Sequence, residues 1–208
     1  MKLEIKDLRK NFKNNNALNN ISLNFESNRI YAIIGRNGSG KTVLLKILSG
    51  YFEKSSGKIK INGNDVNPYT EIMNRGVFID GPSFVDDLTG FENLLYLSLI
   101  KKEINADQIN KLLKDFGLDE VSNVKYKNYS LGMKQKLGII QAIMEHPNII
   151  LLDEPFNSID RESVEQIKKI IKRYRDDNTI IIVTSHVEDD IKNFADVVYK
   201  LSDGNVVC

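Results

Sequence analysis

Short apolar runs alternate with stretches of helical spacing along most of the chain, which predicts a mixed α/β fold. Segments 3–8 and 21–25 place apolar residues at near-alternate positions, as expected for half-buried strands. The polar, Asn-rich stretch between them, at 11–20, is predicted to be a turn. Continuous apolar runs are typical of strands buried on both faces of a parallel sheet. We predict further strands, some of them continuous apolar runs and some of them shorter, at 30–34, 57–61, 76–79, 149–152, 179–184 and 197–201.

The middle of the chain differs, because helical spacing continues there without an intervening strand. We predict helices at 91–101 and 106–116, and a third that Ser130 opens and Pro147 stops. The candidate buried positions of the third helix are Leu131, Ile139, Ile140 and Ala142. Further helices are predicted at 41–50, 161–175 and 187–194. The pattern therefore predicts an α/β core interrupted by a helical insertion at about 85–145.

Composition narrows the class of protein. The 208 residues suit one domain, and the net charge of +1 argues against a strongly basic nucleic-acid binder, so no nucleic-acid partner is expected. The single cysteine, Cys208, allows no intramolecular disulfide. No apolar run reaches the roughly 20 residues that cross a bilayer, and the N-terminus lacks the apolar centre of a signal peptide. We therefore expect a cytoplasmic protein whose membrane role, if any, requires a partner.

Residues 35–42, Gly-Arg-Asn-Gly-Ser-Gly-Lys-Thr, match G-x-x-x-x-G-K-[ST] between a predicted strand and a predicted helix. Glycines let the backbone N–H groups point at phosphate oxygens, and the helix start adds its positive dipole end. We expect Lys41 to reach the β- and γ-phosphates of ATP and the Thr42 hydroxyl to ligate Mg²⁺. A chance Gly-rich turn is the alternative, which the flanking elements disfavour. The candidate nucleotide-binding residues are Gly35, Asn37, Gly38, Ser39, Gly40, Lys41, Thr42 and Val43.

Asp153 and Glu154 follow the buried run at 149–152, at the end of a parallel strand where ligands bind. We predict that Asp153 belongs to the Mg²⁺ shell and that Glu154 positions or deprotonates an attacking water. A solvated loop would be the usual interpretation of an Asp-Glu pair, but the phosphate loop favours a site. His186 also follows a buried strand, and its position alone leaves a structural and a functional role equally open.

These motifs, in this order, resemble the ATPase subunit of an ATP-binding cassette (ABC) transporter over nearly the whole chain. The discriminating segment is Tyr-Ser-Leu-Gly-Met-Lys-Gln at 129–135, which resembles the Leu-Ser-Gly-Gly-Gln signature at a helix N-terminus. On its own, this segment would be no more than a helix capped by Ser130. The resemblance implies that Phe12 stacks on adenine, that 157–160 is the D-loop, and that His186 contacts the γ-phosphate.

The resemblance also implies an architecture and partners. The expected fold is α/β, a P-loop NTPase core of mainly parallel sheet with an N-terminal antiparallel β-subdomain. The core and β-subdomain would take about 1–84 and 146–208, and the helical subdomain about 85–145. Two such subunits, most simply a homodimer, would sandwich ATP head to tail, each site joining one phosphate loop to Ser130 and Gly132 of the other subunit. The pair would lie on the inner face of the membrane against a polytopic permease.

The sequence departs from the family pattern in three places, and the first and third of these indicate a subgroup. Asp80 stands where Gln is usual, Val43 replaces a second hydroxyl residue, and Leu131 and Met133 alter the signature. Asp80 could still approach Mg²⁺ or the lytic water, at a cost near the γ-phosphate, so slower turnover is expected. The segments 81–94 and 129–133 resemble exporters of the bacitracin-resistance and lantibiotic-immunity type, in which an acidic residue commonly replaces that Gln.

Other functions fit part of the pattern. A soluble ABC ATPase acting on ribosomes or DNA is one alternative, but the chain has neither the second cassette nor the inserted coiled coil of those relatives. A regulatory ATP-dependent switch with weak hydrolysis is another, and Asp80 keeps it open. The preferred prediction is an ATPase that powers the export of an antimicrobial peptide or a drug-like substrate.

Overall fold

The architecture comes from a computed structural model that describes residues 1–13, 15–71, 73–81 and 83–207. Asn14, Ile72, Pro82 and Cys208 lie outside the described residues. The strands are β1 (Lys2–Phe12), β2 (Asn15–Glu26), β3 (Arg29–Ile34), β4 (Ser56–Ile61), β5 (Asn64–Val66), β6 (Arg75–Phe78), β7 (Ile149–Leu152), β8 (Ile180–Ser185), β9 (Val197–Ser202) and β10 (Asn205–Val207). The helices are α1 (Lys41–Leu48), α2 (Gly90–Lys101), α3 (Ala106–Asp115), α4 (Leu131–Ile143), α5 (Arg161–Arg173) and α6 (Glu188–Ile191), with a 3₁₀ turn at Tyr126–Asn128.

The strands form an antiparallel sheet and a mainly parallel one. The antiparallel sheet has the order β2-β1-β4-β5, and the larger sheet has the order β10-β9-β3-β8-β7-β6. In the larger sheet β3, β6, β7, β8 and β9 run parallel, and β10 pairs antiparallel with β9 at the edge. The predicted fold class is therefore confirmed. Because parallel strands end at the same edge, this topology gathers the residues that follow β3, β7 and β8.

The central strands are apolar throughout because both of their faces are buried. On β3, Ile30 and Ala32 belong to a core shared with α4 and α5, whereas Tyr31 and Ile33 face a second core shared with α1 and the antiparallel sheet. Strand β8 alternates in the same way between the two cores. Burial on both faces explains why these strands read as continuous apolar runs rather than as alternating patterns.

Helices α2, α3 and α4 lie in the segment where the sequence predicts the insertion. Thr89 and Asn105 each form a capping box with the residue three positions on, which fixes the starts of α2 and α3. The Ser130 hydroxyl accepts a hydrogen bond from the backbone N–H of Met133 and caps α4. The buried hydrophobic side chains of all three helices pack into the core that lies on the α4 side of the sheet.

Several local predictions are wrong. Most of the stretch at 11–20 forms strand, because β1 and β2 pair as far as Phe12 and Asn15, and a hairpin ladder satisfies backbone groups whatever the side-chain polarity. Leu131, the first residue of α4, is 63% exposed and is therefore not a buried position of that helix. The helix predicted at 187–194 is only one turn long, and α5 ends two residues earlier than predicted. Within the described ranges, no helix is long and apolar enough to cross a membrane.

Candidate functional site

The loop between β3 and α1 folds as an anion-binding cradle. Lys41 is 5% exposed, and its Nζ donates to the carbonyl oxygens of Gly35 and Arg36 at 2.7 and 3.2 Å, which closes the loop around the side chain. At Gly40, φ is 104°, and an added Cβ would lie 2.8 Å from the carbonyl oxygen of Ala17. Only glycine meets both conditions. The cradle thus combines a buried cation with the N-terminus of α1, which suits a phosphate chain.

Asp153 lies directly after β7 and receives hydrogen bonds from two hydroxyl groups. The Thr42 hydroxyl donates to Oδ2 at 2.8 Å, and the Thr184 hydroxyl donates to Oδ1 at 2.5 Å. Burial raises the pKa of Asp153, and the carboxylates of Glu154 and Asp80 raise it further, whereas the two hydroxyl bonds oppose the rise. A cation beside Asp153 would offset the cost of its charge.

Glu154 connects the phosphate loop with the end of β8. Its Oε1 lies 3.5 Å from Lys41 Nζ, and its Oε2 lies 2.9 Å from His186 Nδ1. The backbone N–H of His186 also donates to Oε2, at 3.3 Å. These contacts hold the side chain of Glu154 in place. The side chain is nevertheless 19% exposed, so water can reach it. A carboxylate in this setting can accept a proton from a water molecule.

A cavity of about 550 Å³ opens beside the loop. Its walls come from the phosphate loop, Glu154, the β1–β2 hairpin and the turn between β9 and β10. Phe12 stands at the hairpin end, 41% exposed, with its ring edge-on to Phe52. The side chain of Ser39, which also lines the cavity, is buried, and its hydroxyl has no hydrogen-bond partner within the described residues. An orphaned polar atom at this position fits a site built to receive a polar ligand.

Six of the predicted site residues are not among the described residues that line this cavity: Gly35, Asp80, Ser130, Gly132, Asp153 and His186. Gly35, Asp153 and His186 each contact a residue that does line it, namely Lys41, Thr42 and Glu154 in turn. Asp80 instead pairs with Lys46 of α1, with 2.5 Å between Oδ2 and Nζ. Ser130 and Gly132 lie at the start of α4, where an added Cβ on Gly132 would meet the carbonyl oxygen of Ser158 at 2.8 Å.

Some residues at the site were not predicted from sequence. Thr184 is fully buried at the end of β8, and its hydroxyl links Asp153 to the backbone N–H of Glu154. A polar residue that ends an apolar strand run was a signal that could have identified it. Asp203 and Gly204 line the cavity because the β9–β10 turn docks on the loop, where the Gly204 N–H donates to the Ser39 carbonyl oxygen. No local sequence pattern indicates this contact.

Comparisons with known proteins decide the family. A family model described as ABC transporter matches residues 18–157. The ABC transporter ATP-binding protein YybJ of Bacillus subtilis (strain 168) is 37% identical over 98% of this chain and 94% of its own length. The chain belongs to the ABC transporter family. It is an ATP-binding and ATP-hydrolysing subunit, and the cradle, Asp153 and Glu154 are parts of this ABC ATPase.

Further relatives carry more specific names. The bacitracin transport ATP-binding protein BcrA of Enterococcus faecalis is 33% identical over 99% of this chain and 68% of its own length. The lantibiotic transport ATP-binding protein SrtF of Streptococcus pyogenes is 29% identical over 99% of this chain and 89% of its own length. Among solved structures, the dimeric, post-hydrolysis structure of the ATP-binding cassette MJ0796 bound to ADP and Pi has a TM-score of 0.88 and 24% sequence identity. The match covers 99% of this chain and 97% of the MJ0796 chain, and it supports the fold.

Proposed function

We propose that this ABC ATPase powers the export of an antimicrobial peptide or a drug-like compound. The observation that carries the catalytic part is the position of Glu154, between Lys41 of the cradle and His186 at the end of β8. The export part is supported by the relatives named for bacitracin and lantibiotic transport. Phe12, at the hairpin end of the cavity, is then the residue that stacks on adenine, with the phosphates in the cradle.

Thr42 and Asp153 would hold Mg²⁺. Within the described residues, no three His, Cys, Asp or Glu side chains are grouped so that they could bind a metal by themselves. The Thr42 hydroxyl and the Asp153 carboxylate lie next to each other, and Mg²⁺ commonly takes so few protein ligands when phosphates and waters complete its shell. When bound, the ion neutralises charge that develops on the β- and γ-phosphates. The carboxylate of Asp153 fits this role, since its burial makes the ionised form costly and a bound cation would offset that cost.

Hydrolysis would depend on Glu154 and on a second subunit. Glu154 accepts a proton from the attacking water, and His186 holds that carboxylate in place and contacts the γ-phosphate. Ser130 and Gly132 lie outside the cavity of their own chain, which is the arrangement expected if they complete the site of a second copy packed head to tail. ATP binding favours the closed dimer, and loss of the γ-phosphate removes the contacts that hold it closed.

A membrane permease would receive this motion, with the dimer on the inner face of the membrane. A groove of about 200 Å³ lies beside the phosphate-loop helix, lined by Lys46, Ser49, Tyr51, Val77, Ile79 and Asp80. Tyr51 is 70% exposed there, and Tyr96, Leu99 and Ile100 expose an apolar face of α2. Such a surface suits the helices of a polytopic partner. In this proposal the helices at 85–145 form the subdomain that moves relative to the core.

Purification from membranes tests the transporter assignment. The tagged chain, extracted in mild detergent, is expected to bring down a polytopic membrane protein at about one permease assembly per two ATPase subunits, and ATPase activity is expected in that complex. A control with Ile100→Glu and Tyr51→Glu should lose the partner and keep ATP binding. Recovery of ribosomes or DNA in place of a membrane protein would contradict the proposal.

A further inference from the structure

The peptide groups on both sides of Glu154 are held by side chains from other elements. The N–H of Glu154 donates to Thr184 Oγ1 at 2.9 Å, and its carbonyl oxygen accepts from Gln135 Nε2 at 2.9 Å. The N–H of Asn157 reaches the same carbonyl oxygen at 3.3 Å. At Glu154, φ is +47°, in the left-handed region that few residues other than glycine adopt. These bonds therefore maintain a strained backbone that would relax without them.

Gln135 is suited to this task by its burial and its chemistry. It is 7% exposed in the second turn of α4, so little water competes for its amide. A carbonyl oxygen can only accept, so the amide nitrogen of Gln135 must face Glu154. A buried hydrogen bond of this kind is strong and directional in the low-dielectric interior. Loss of the donor would leave the longer bond from the Asn157 N–H to hold this carbonyl oxygen, so the peptide plane that follows Glu154 could tilt.

We propose that Gln135 is a positioning residue for ATP hydrolysis, whose amide fixes the peptide after Glu154 and so directs the Glu154 carboxylate toward Lys41 and His186. The inference rests on the proposed role of Glu154 as the base. Gln135 lies on the helix that Ser130 caps. In the proposed dimer, α4 would approach the ATP bound by the second subunit. The same helix therefore also carries Gln135, which orients the base of its own subunit, Glu154.

The direct test replaces Gln135 with Met, which has similar length and no amide. We expect kcat for ATP to fall about 10- to 100-fold, as for a base displaced by about 1 Å. The dissociation constant for ATP, measured by calorimetry, should stay within about twofold, because Gln135 does not line the cavity. Gln135→Glu keeps the shape and, once ionised, cannot donate, so it should show the same fall even if Gln135→Met folds poorly.

Gln166→Met is the matched control, because Gln166 Nε2 donates to the carbonyl oxygen of Asp115 at 2.7 Å in an exposed bond on α5. It should keep the wild-type kcat. If Gln135→Met and Gln135→Glu turn over ATP at the wild-type rate while Glu154→Gln does not, the inference about Gln135 is wrong and the role of Glu154 stands. The inference about Gln135 would also be wrong if the fall in kcat of these variants matched their loss of folded protein, or if ATP affinity fell as much as kcat. Wild-type turnover by Glu154→Gln would overturn both.

Discussion

The Oε2 atom of Glu154 lies 2.9 Å from Nδ1 of His186, so the end of β8 holds the carboxylate that follows β7. Glu154→Gln keeps the shape of this side chain and removes its basicity. We expect phosphate release to fall by about 100-fold or more, because general-base catalysis contributes at least that much. ATP binding should persist, and ATP-bound dimers should accumulate in size-exclusion chromatography.

Glu165→Gln serves as the control, because Glu165 is 61% exposed and pairs only with its helix neighbour Lys168 among the described contacts. It should hydrolyse ATP at the wild-type rate. Wild-type turnover by Glu154→Gln would show that another group activates the water.

Asp153 should make the apo protein less stable as pH rises. Its pKa is raised above 3.8 in the folded chain by burial, so the folded state keeps a proton that the unfolded state releases. The stabilising contribution is therefore complete below 3.8 and is lost as pH rises through the folded pKa. Urea unfolding from about pH 3.5 to about pH 8 should show the wild type losing stability relative to Asp153→Asn over that range. If the free energies of unfolding of the wild type and of Asp153→Asn changed in parallel with pH, the pKa of Asp153 would not be raised in the folded chain.

Phe12 should contribute to ATP affinity rather than to turnover. Stacking of a base on an aromatic ring is worth about 1–3 kcal/mol, so Phe12→Ala should weaken ATP binding about 5- to 150-fold. Titration with ATP in the presence of Mg²⁺ measures the change, and kcat at saturating ATP should be nearly unaltered. Tyr69→Ala, at a side chain that is 52% exposed and outside the cavity lining, should bind ATP as the wild type does.

Asp80→Gln tests whether the acidic residue after β6 slows hydrolysis. Asp80 pairs with Lys46, but its carboxylate still raises the pKa of Asp153, so its charge acts on the proposed metal site. We expect its removal to raise kcat about threefold, as for roughly 0.7 kcal/mol of repulsion between unit charges across a solvated gap. Asp65→Asn removes an exposed carboxylate from lysine neighbours at 3.7 and 3.9 Å and should have no effect. A fall in kcat on Asp80→Gln would instead indicate that Asp80 ligates the metal, and undetectable activity in both membrane-reconstituted complexes would favour a regulatory switch.

The sequence was most informative where one short segment contains both the chemistry and its structural context. The phosphate loop is such a segment, because its glycines and Lys41 act within eight residues between a buried strand and a helix. Asp153 was predictable for a related reason, since a carboxylate at the end of an apolar strand lies at the same sheet edge as the loop. The two-core burial of β3 and β8 follows from the same apolar runs.

What could not be predicted depends on contacts between distant segments. The Thr184 bond to Asp153, the Gln135 bond to Glu154 and the docking of the β9–β10 turn on Ser39 each join residues that are not neighbours in the chain. The hairpin through 11–20 could not be predicted, because side-chain polarity says little about strands whose backbone groups pair with each other. The exposure of Leu131 could not be predicted, because helical spacing does not say which end of a helix emerges from the core.

Strand β3, which leads into the phosphate loop, has β8 and β9 as its neighbours in the sheet. About 145 residues separate it from the first of these partners, so the pairing has a very high sequence separation. During synthesis, the loop can be complete in sequence long before the strand beneath it has a partner. We therefore expect the phosphate cradle to form late in folding, after β8 has left the ribosome, and a nascent chain that stops short of β8 to expose apolar strands without an ATP site.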